Sequence, residues 1–262
     1  MVVDKVITHC YFTSMQAIIV GSGSKGNSTL LITDSKKILI DVGFSYSKIK
    51  MILGNHGYKL NDIDFILITH EHKDHITGLA SLVSHEKKQV YIPTPMYKAI
   101  NKVIDKEYIV PIDDDVFEID DLKIRFLHTS HDALYPVGFI LEDSESLLYM
   151  TDTGYISKKN LSYMKNKNIY IIESNHDPKM LMNGPYPYVL KQRVISDTGH
   201  LSNEMTGKYL QGLIGKNTKK IILAHLSETN NLEELAIKTV SDLIGNKIKV
   251  EAARQEEEMV IC

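Results

Sequence analysis

Apolar residues recur along the chain in short blocks of two kinds. One kind is brief, rich in Ile, Leu, Val and Tyr, and bounded by Gly, Asp or Ser: "MQAIIVG" from Met15, "TLLITD", "KKILIDVG", "IDFILITH", "QVYIP", "LKIRFLHTSHD", "YPVGFILED", "SLLYMTDTG", "IYIIESNHD" and "KKIILAHLS". These predict strands, and the unbroken run in "IDFILITH" predicts a central strand covered on both faces. The other kind spaces apolar positions by three and four. "SYSKIKMILGNHG" has a cap Ser and a stopping Gly, and with "ITGLASLVSH", "TPMYKAINKVI", "SKKNLSYMKN", stretches near 187–195 and 201–213, and "NLEELAIKTVSDLIG" it predicts helices. The acidic "PIDDDVFEIDD" reads as a turn around a short strand, and "NKIKVEAA" and "EEMVIC" as two closing strands. β-rich and mixed blocks thus occur twice, each ending in helices. That order predicts an α/β single domain, a four-layer αββα sandwich of two stacked sheets with helices outside, over a doubly wound sheet. Residues 1–14 lack periodicity and read as an N-terminal extension to a domain at 15–262. No solenoid repeat or low-complexity linker interrupts the chain.

Composition narrows the class without naming a function. The 262 residues are 43% hydrophobic and 24% charged, ordinary for a globular protein. No run approaches a membrane span and no basic-plus-apolar leader opens the sequence, so the expected setting is cytoplasmic, with no membrane partner. The two cysteines, Cys10 and Cys262, form no disulfide framework and no thiolate pair for a metal. A net charge of -3 argues weakly against a nucleic-acid coat, yet residues 156–193 carry seven basic side chains against two acidic ones. That segment reads either as a local phosphate-facing patch or as an ordinary solvated face.

Chemistry concentrates in "ILITHEHKDHITG", where His70, His72, Asp74 and His75 follow an apolar strand. Residues i and i+2 share a strand face, so His70 and His72 aim at one point, and a turn can bring Asp74 and His75 beside them. Imidazoles with a carboxylate suit zinc, manganese or iron, and four donors so closely spaced fit two divalent ions better than one. On this reading His70 and His72 hold one ion, Asp74 and His75 the other.

H-x-H-x-D-H after an apolar strand resembles the signature of the metallo-β-lactamase-fold hydrolases. The resemblance implies three further metal ligands: His131 in "TSHDALYPVG", a bridging Asp152 in "YMTDTG", and His225 in "ILAHLS". His128 competes with His131 but continues the alternation Leu122, Ile124, Phe126, and so reads as core-facing. The absence of a matching Cys sets the chain apart from true β-lactamases, His72 from flavodiiron oxidases, and the short Asp152–His225 interval from nucleases with an inserted β-CASP domain. "GSGSKGNSTLLI", "LIDVG", "ITHEHKDHITGL", "SHDALYPVGF", "TDTG", "ESNHD", "GHLSN" and "LAHLSETNN" together resemble the single-domain YycJ/WalJ/VicX group.

That resemblance implies a binuclear-metal phosphodiesterase with nucleic acid as its partner: a 5′-to-3′ DNA exonuclease linked to DNA repair. Asp74 and His200 are its catalytic candidates. Asp74 is a ligand whose loss should abolish turnover; His200, in "DTGHLSNE", is a general acid or phosphate clamp, or else a packing residue. Asp41 in "LIDVG" orients a ligand from behind or is a plain strand-end carboxylate. Asn27, Tyr186, Lys191 and Arg193 are candidate substrate contacts, with Tyr186 and Tyr188 stacking bases or simply packing. The competing readings are an RNA or cyclic-nucleotide phosphodiesterase, a glyoxalase-type thioesterase, and a non-catalytic metal-bound scaffold.

Overall fold

The computed structural model describes residues 15–261; the expected extension at 1–14, with Cys10, and the final Cys262 lie outside them. The apolar blocks form two seven-stranded sheets. The first holds β1 (Gln16–Gly21), β2 (Ser28–Ile32), β3 (Lys37–Ile40), β4 (Phe65–Leu67), β5 (Gln89–Pro93) and β6 (Ile109–Ile112) in that order. The second holds β7 (Val116–Ile119), β8 (Leu122–His128), β9 (Val137–Glu142), β10 (Ser146–Met150), β11 (Ile169–Glu173), β12 (Lys220–Ala224) and β13 (Val250–Ala252). β14 (Met259–Ile261) then returns to pair antiparallel with β1. The two sheets repeat one plan. β1 to β3 and β7 to β10 are antiparallel, whereas β3 to β6 and β10 to β13 are parallel.

The strands read as continuous apolar runs because both faces of each sheet are covered. Ile19, Leu31, Ile40 and Leu67 point inward to meet Phe126, Phe139, Tyr149 and Ile171 across the gap between sheets. Their neighbours Ile18, Leu30, Leu39 and Ile66 point outward to Ile49, Leu53 and Leu82 of the outer helices. On the far side Leu148, Tyr170, Ile172 and Leu223 meet Leu210, Leu213 and Val240. Three apolar layers separate four layers of structure, as the block order predicts. Each fully buried Leu or Ile contributes roughly 1.5–3 kcal/mol.

Local signals mostly hold. Ser45 caps the helix Tyr46–Asn55 by accepting from Lys48 N, and Gly57 ends it at φ 83. Two details differ from expectation. "TPMYKAINKVI" is a 3-10 turn plus one α turn, Tyr97–Ile100, because beyond Ile100 the bonds tighten from Lys102 to Ala99 and Val103 to Ile100. The acidic stretch holds the short strand β7 between two turns, as expected, and at 113–115 the chain crosses from one sheet to the other. The alternation that would bury His128 runs out at the last position of β8. Its side chain is 40% exposed, with Nε2 2.9 Å from the Tyr135 hydroxyl and 3.4 Å from Asp115.

Candidate metal centre

The C-terminal ends of β3, β4, β8, β10, β11 and β12 open on one edge of the sandwich, and the clustered donors follow them, except His200, which comes after the helix Tyr188–Ile195. After β4 the chain runs through Thr69 to His70. A single helical turn, Lys73–Ile76, with His72 at its N-cap, then folds Asp74 and His75 back. That return needs close backbone approach. Asn27 N donates to the Asp74 carbonyl at 2.7 Å, and Gly43 N donates to the Asn27 carbonyl at 2.9 Å. A Cβ at Gly43 would lie 1.8 Å from the Asp74 carbonyl oxygen, so only glycine fits. The loop bringing His131 is stitched to the same turn, because Leu134 N donates to Glu71 Oε1 at 2.7 Å.

Three site residues hold left-handed backbone immediately past a strand: Asp41 (φ 59), Asp152 (φ 54) and His225 (φ 55). Such conformations cost on the order of 1–3 kcal/mol each and persist where surroundings dictate them. At His225 they do: its N–H donates to Ser22 Oγ and its carbonyl accepts from Asn175 Nδ2, both at 2.9 Å. Asn175 belongs to a buried amide network in which Asn231 donates to the Ser174 and Asn175 carbonyls and pairs with Asn203.

The result is four overlapping groups whose donor atoms lie within 4.8 Å of one another: His70, His72 and His131; His70, His75 and Asp152; Asp74, His75 and His225; and Asp152, Glu173, His200 and His225. All seven residues expected to bind metal, and His200, are brought together. Glu173 was not foreseen. It is fully buried, and its Oε1 accepts from Nδ1 of both His200 (2.8 Å) and His225 (2.9 Å), while Oε2 accepts from Thr153 N and Leu201 N. A glutamate ending the otherwise apolar run "IYIIE" was the signal available, since a buried carboxylate demands partners.

Behind the donors, acceptors fix the imidazoles. Asp41 accepts from His75 Nδ1 at 2.8 Å and also from Thr69 N and Oγ1. With Thr69 Oγ1 donating to Asp41, its lone pair is left for His70 Nδ1 at 3.1 Å. His131 Nδ1 faces the Gly199 carbonyl at 3.4 Å. In each case Nδ1 is engaged from behind and Nε2 is left to face the cluster.

Electrostatics follow from burial and crowding. Burial opposes charge on His225, but Asp152, with Asp74 and Glu173, pushes it up to about 10. Burial likewise works against His75, yet Asp41 and Asp152 raise it well above the usual imidazole range. Burial together with the nearby His75 holds His70 well below that range. Burial is outweighed at Glu173, which His200 and His225 draw down to about 2. Protons on His75 and His225 thus balance a surplus of buried carboxylate. His70 Nε2, His225 Nε2 and Asp152 Oδ2 are buried without hydrogen-bond partners. Imidazoles and carboxylates with orphaned buried donor atoms fit a divalent cation.

A cavity of about 280 Å³ covers the cluster, lined by His72, Asp74, His131, Asp152, His200 and His225 and by Tyr186, Leu190, Arg193 and Val194 opposite. Two of the four expected substrate contacts, Tyr186 and Arg193, therefore reach it. Asn27 does not present a free group: it is fully buried, and its amide braces the 22–27 loop and approaches His75 Nε2 and Asp74 Oδ2 at 3.1 and 3.4 Å. Lys191 turns to the Met182 carbonyl at 2.7 Å, away from the cavity lining.

Residues 36–226 match the model of the β-lactamase superfamily domain. The chain belongs to the β-lactamase superfamily. Within it, the chain is 39% identical over 232 residues to exodeoxyribonuclease WalJ of Streptococcus pneumoniae, covering 85% of each protein. It is 36% identical over 235 residues to exodeoxyribonuclease YycJ of Bacillus anthracis, covering 87% of this chain and 89% of that one. The metallo-β-lactamase-fold protein YhfI from Bacillus subtilis superposes with a TM-score of 0.72 at 16% identity, over 94% of this chain and 98% of that one. That likeness speaks to the fold alone. Superfamily membership and this donor cluster make the chain a metal-dependent hydrolase.

Proposed function

We propose that the chain is a metal-dependent exonuclease that hydrolyses phosphodiester bonds of DNA from 5′ to 3′, in the cytoplasm and in the service of DNA repair. The observation that carries this reading is the convergence of metal-competent donors from both sheets on one cluster beneath a cavity, His70 Nε2, Asp152 Oδ2 and His225 Nε2 among them buried and unpartnered, in a chain similar to two exodeoxyribonucleases over most of its length. His70, His72 and His131 would hold one ion and Asp74, His75 and His225 a second, with Asp152 between them. Zinc or manganese suits the donor set, and iron is compatible with it. Bound divalent ions supply an activated water and neutralise charge growing on the phosphate.

The protein's own groups do the rest. Glu173 holds His200 by Nδ1, which leaves Nε2 at the cavity to protonate the leaving oxygen. Arg193, gripped by Asp132 through Nε at 2.9 Å, offers its guanidinium to a phosphate, and Tyr186 lines the space beside it. Asn27 and Lys191 act as braces for the loops around the site. The test is digestion of end-labelled single- and double-stranded DNA and RNA with Mn2+ or Zn2+, alongside Asp74→Ala. Metal-dependent release of nucleotides from DNA ends, absent in the variant, is the expected result; degradation that persists in the variant, or attack on RNA alone, overturns it.

A further inference from the structure

The glycine-rich loop between β1 and β2, residues 22–27, serves one half of the donor cluster. Ser22 Oγ accepts from His225 N at 2.9 Å and donates to Asn27 Oδ1 at 3.2 Å. Asn27 N donates to the Asp74 carbonyl at 2.7 Å. The Asn27 side chain is fully buried, and backbone fixes which way its amide faces. Oδ1 accepts from Gly23 N at 2.9 Å and Nδ2 donates to the Gly23 carbonyl at 3.0 Å, so turning the amide over would lose both bonds. The other N–H of Nδ2 is thereby left for His75 Nε2, at 3.1 Å, and Asp74 Oδ2, at 3.4 Å. Asp74, His75 and His225, the donors assigned to the second ion, thus all touch this loop. His70 and His131 are held from elsewhere, by Thr69 Oγ1 and the Gly199 carbonyl. Among the described residues no hydrogen bond joins the loop to His70, His72 or His131.

We propose that Asn27 is a positioning residue for the second ion alone, its amide N–H holding the Asp74 carboxylate in place as a ligand. This rests on the two-ion reading of the site. A ligating His75 is neutral, with its proton on Nδ1 toward Asp41 and the Nε2 lone pair committed to the ion. Asp74 Oδ2 is then the acceptor left to the Asn27 N–H, and a carboxylate oxygen has lone pairs enough for a cation and a donor together. Lys25 ties the same loop to Glu228 at 2.9 Å, just past His225, so loop and ligand move as one wall. The neighbouring pocket has no counterpart: His70, His72 and His131 bond to no side-chain amide. The two ions therefore meet unequal surroundings, and the 22–27 loop sets the affinity of one of them.

The test is stepwise Zn2+ titration of the chelator-stripped protein by calorimetry. Asp74→Ala and His72→Ala mark which binding step belongs to which pocket. Asn27→Ala should weaken the step that Asp74→Ala abolishes by roughly tenfold or more, the usual cost of a lost partner behind a ligand. The step that His72→Ala abolishes should be unchanged. Ser22→Ala is the milder change, removing the hydroxyl that meets His225 N and Asn27 Oδ1, and it should weaken the same step. It decides the matter if Asn27→Ala does not fold. Equal weakening of both steps would make the loop a general brace and overturn the proposal, and so would two unchanged steps. Should the unmodified protein take up a single ion, the two-ion reading itself has failed, and the role of Asn27 with it.

Discussion

Asp41 Oδ2 lies 2.8 Å from His75 Nδ1, and neither side chain has any solvent exposure. The contact fixes the ring that must turn Nε2 toward Asp74 and Asp152, at 3.4 and 3.2 Å. Replacing Asp41 with Ala removes the acceptor for His75 and for Thr69. Loss of such a partner costs about 10–100-fold in metal affinity. Competition against a chromophoric chelator should show that drop for Asp41→Ala and a smaller one for Asp41→Asn, whose amide oxygen still accepts. Equal affinity in all three proteins would remove the orienting role.

Glu173 and His200 should separate under mutation, because one serves two histidines and the other serves the cavity. His200→Ala is expected to lower kcat by about 10²–10⁴ with metal content intact, the span of a lost general acid. Glu173→Ala should lower both, since His225 loses its acceptor as well. Elemental analysis beside turnover decides it. Metal loss in His200→Ala would make that residue a ligand instead.

What could be read from the sequence divides along a physical line. H-x-H-x-D-H is legible because strand and turn geometry act over six residues, and the sandwich because covered strands leave unbroken apolar runs. Asp41 stood in a noted motif, yet only the fold shows it meeting His75 across 34 positions. Glu173 was hidden for a related reason. Its importance lies in one oxygen shared by His200 and His225, which local spacing does not encode. Asn27 misled because a polar residue in a glycine-rich loop looks open, whereas the loop folds under and seals it.

Metal binding should compete with protons. His225 stands at about 10 and His75 well above the usual imidazole range, so both carry protons at neutral pH in the metal-free protein. A ligating imidazole must be neutral, so each ion expels a proton as it enters. Affinity should therefore rise with pH from about 6 to 8. Calorimetry in buffers of different ionisation enthalpy should register net proton release at pH 7; uptake, or none, would contradict the balance of charge described for the site. Because the ion binds only the folded form, chelation should also lower Tm. At a hundredfold excess over Kd the loss is about 2.7 kcal/mol.

Gly43 offers a test that touches no donor atom. Its Cα faces the Asp74 carbonyl so closely that a methyl group would sit 1.8 Å from that oxygen and 2.5 Å from Asn27 N. Backbone cannot yield as a flexible side chain does, so Gly43→Ala must push the Asp74 turn away from the 22–27 loop. The bonds from Asn27 N to Asp74 and from Gly43 N to Asn27 would then stretch or break. Two such bonds are worth roughly 1–3 kcal/mol together, to which displacement of a buried loop adds. The expected outcome is a protein that folds, with a Tm lower by several degrees, and binds metal weakly although every donor is present. Gly54→Ala is the control, because a Cβ there meets nothing within 4 Å: it should bind metal as the unmodified protein does, with a Tm equal or slightly higher, since alanine favours a helix over glycine. A Gly43→Ala protein with full metal affinity would mean that the turn carrying Asp74 and His75 is not set by this close approach.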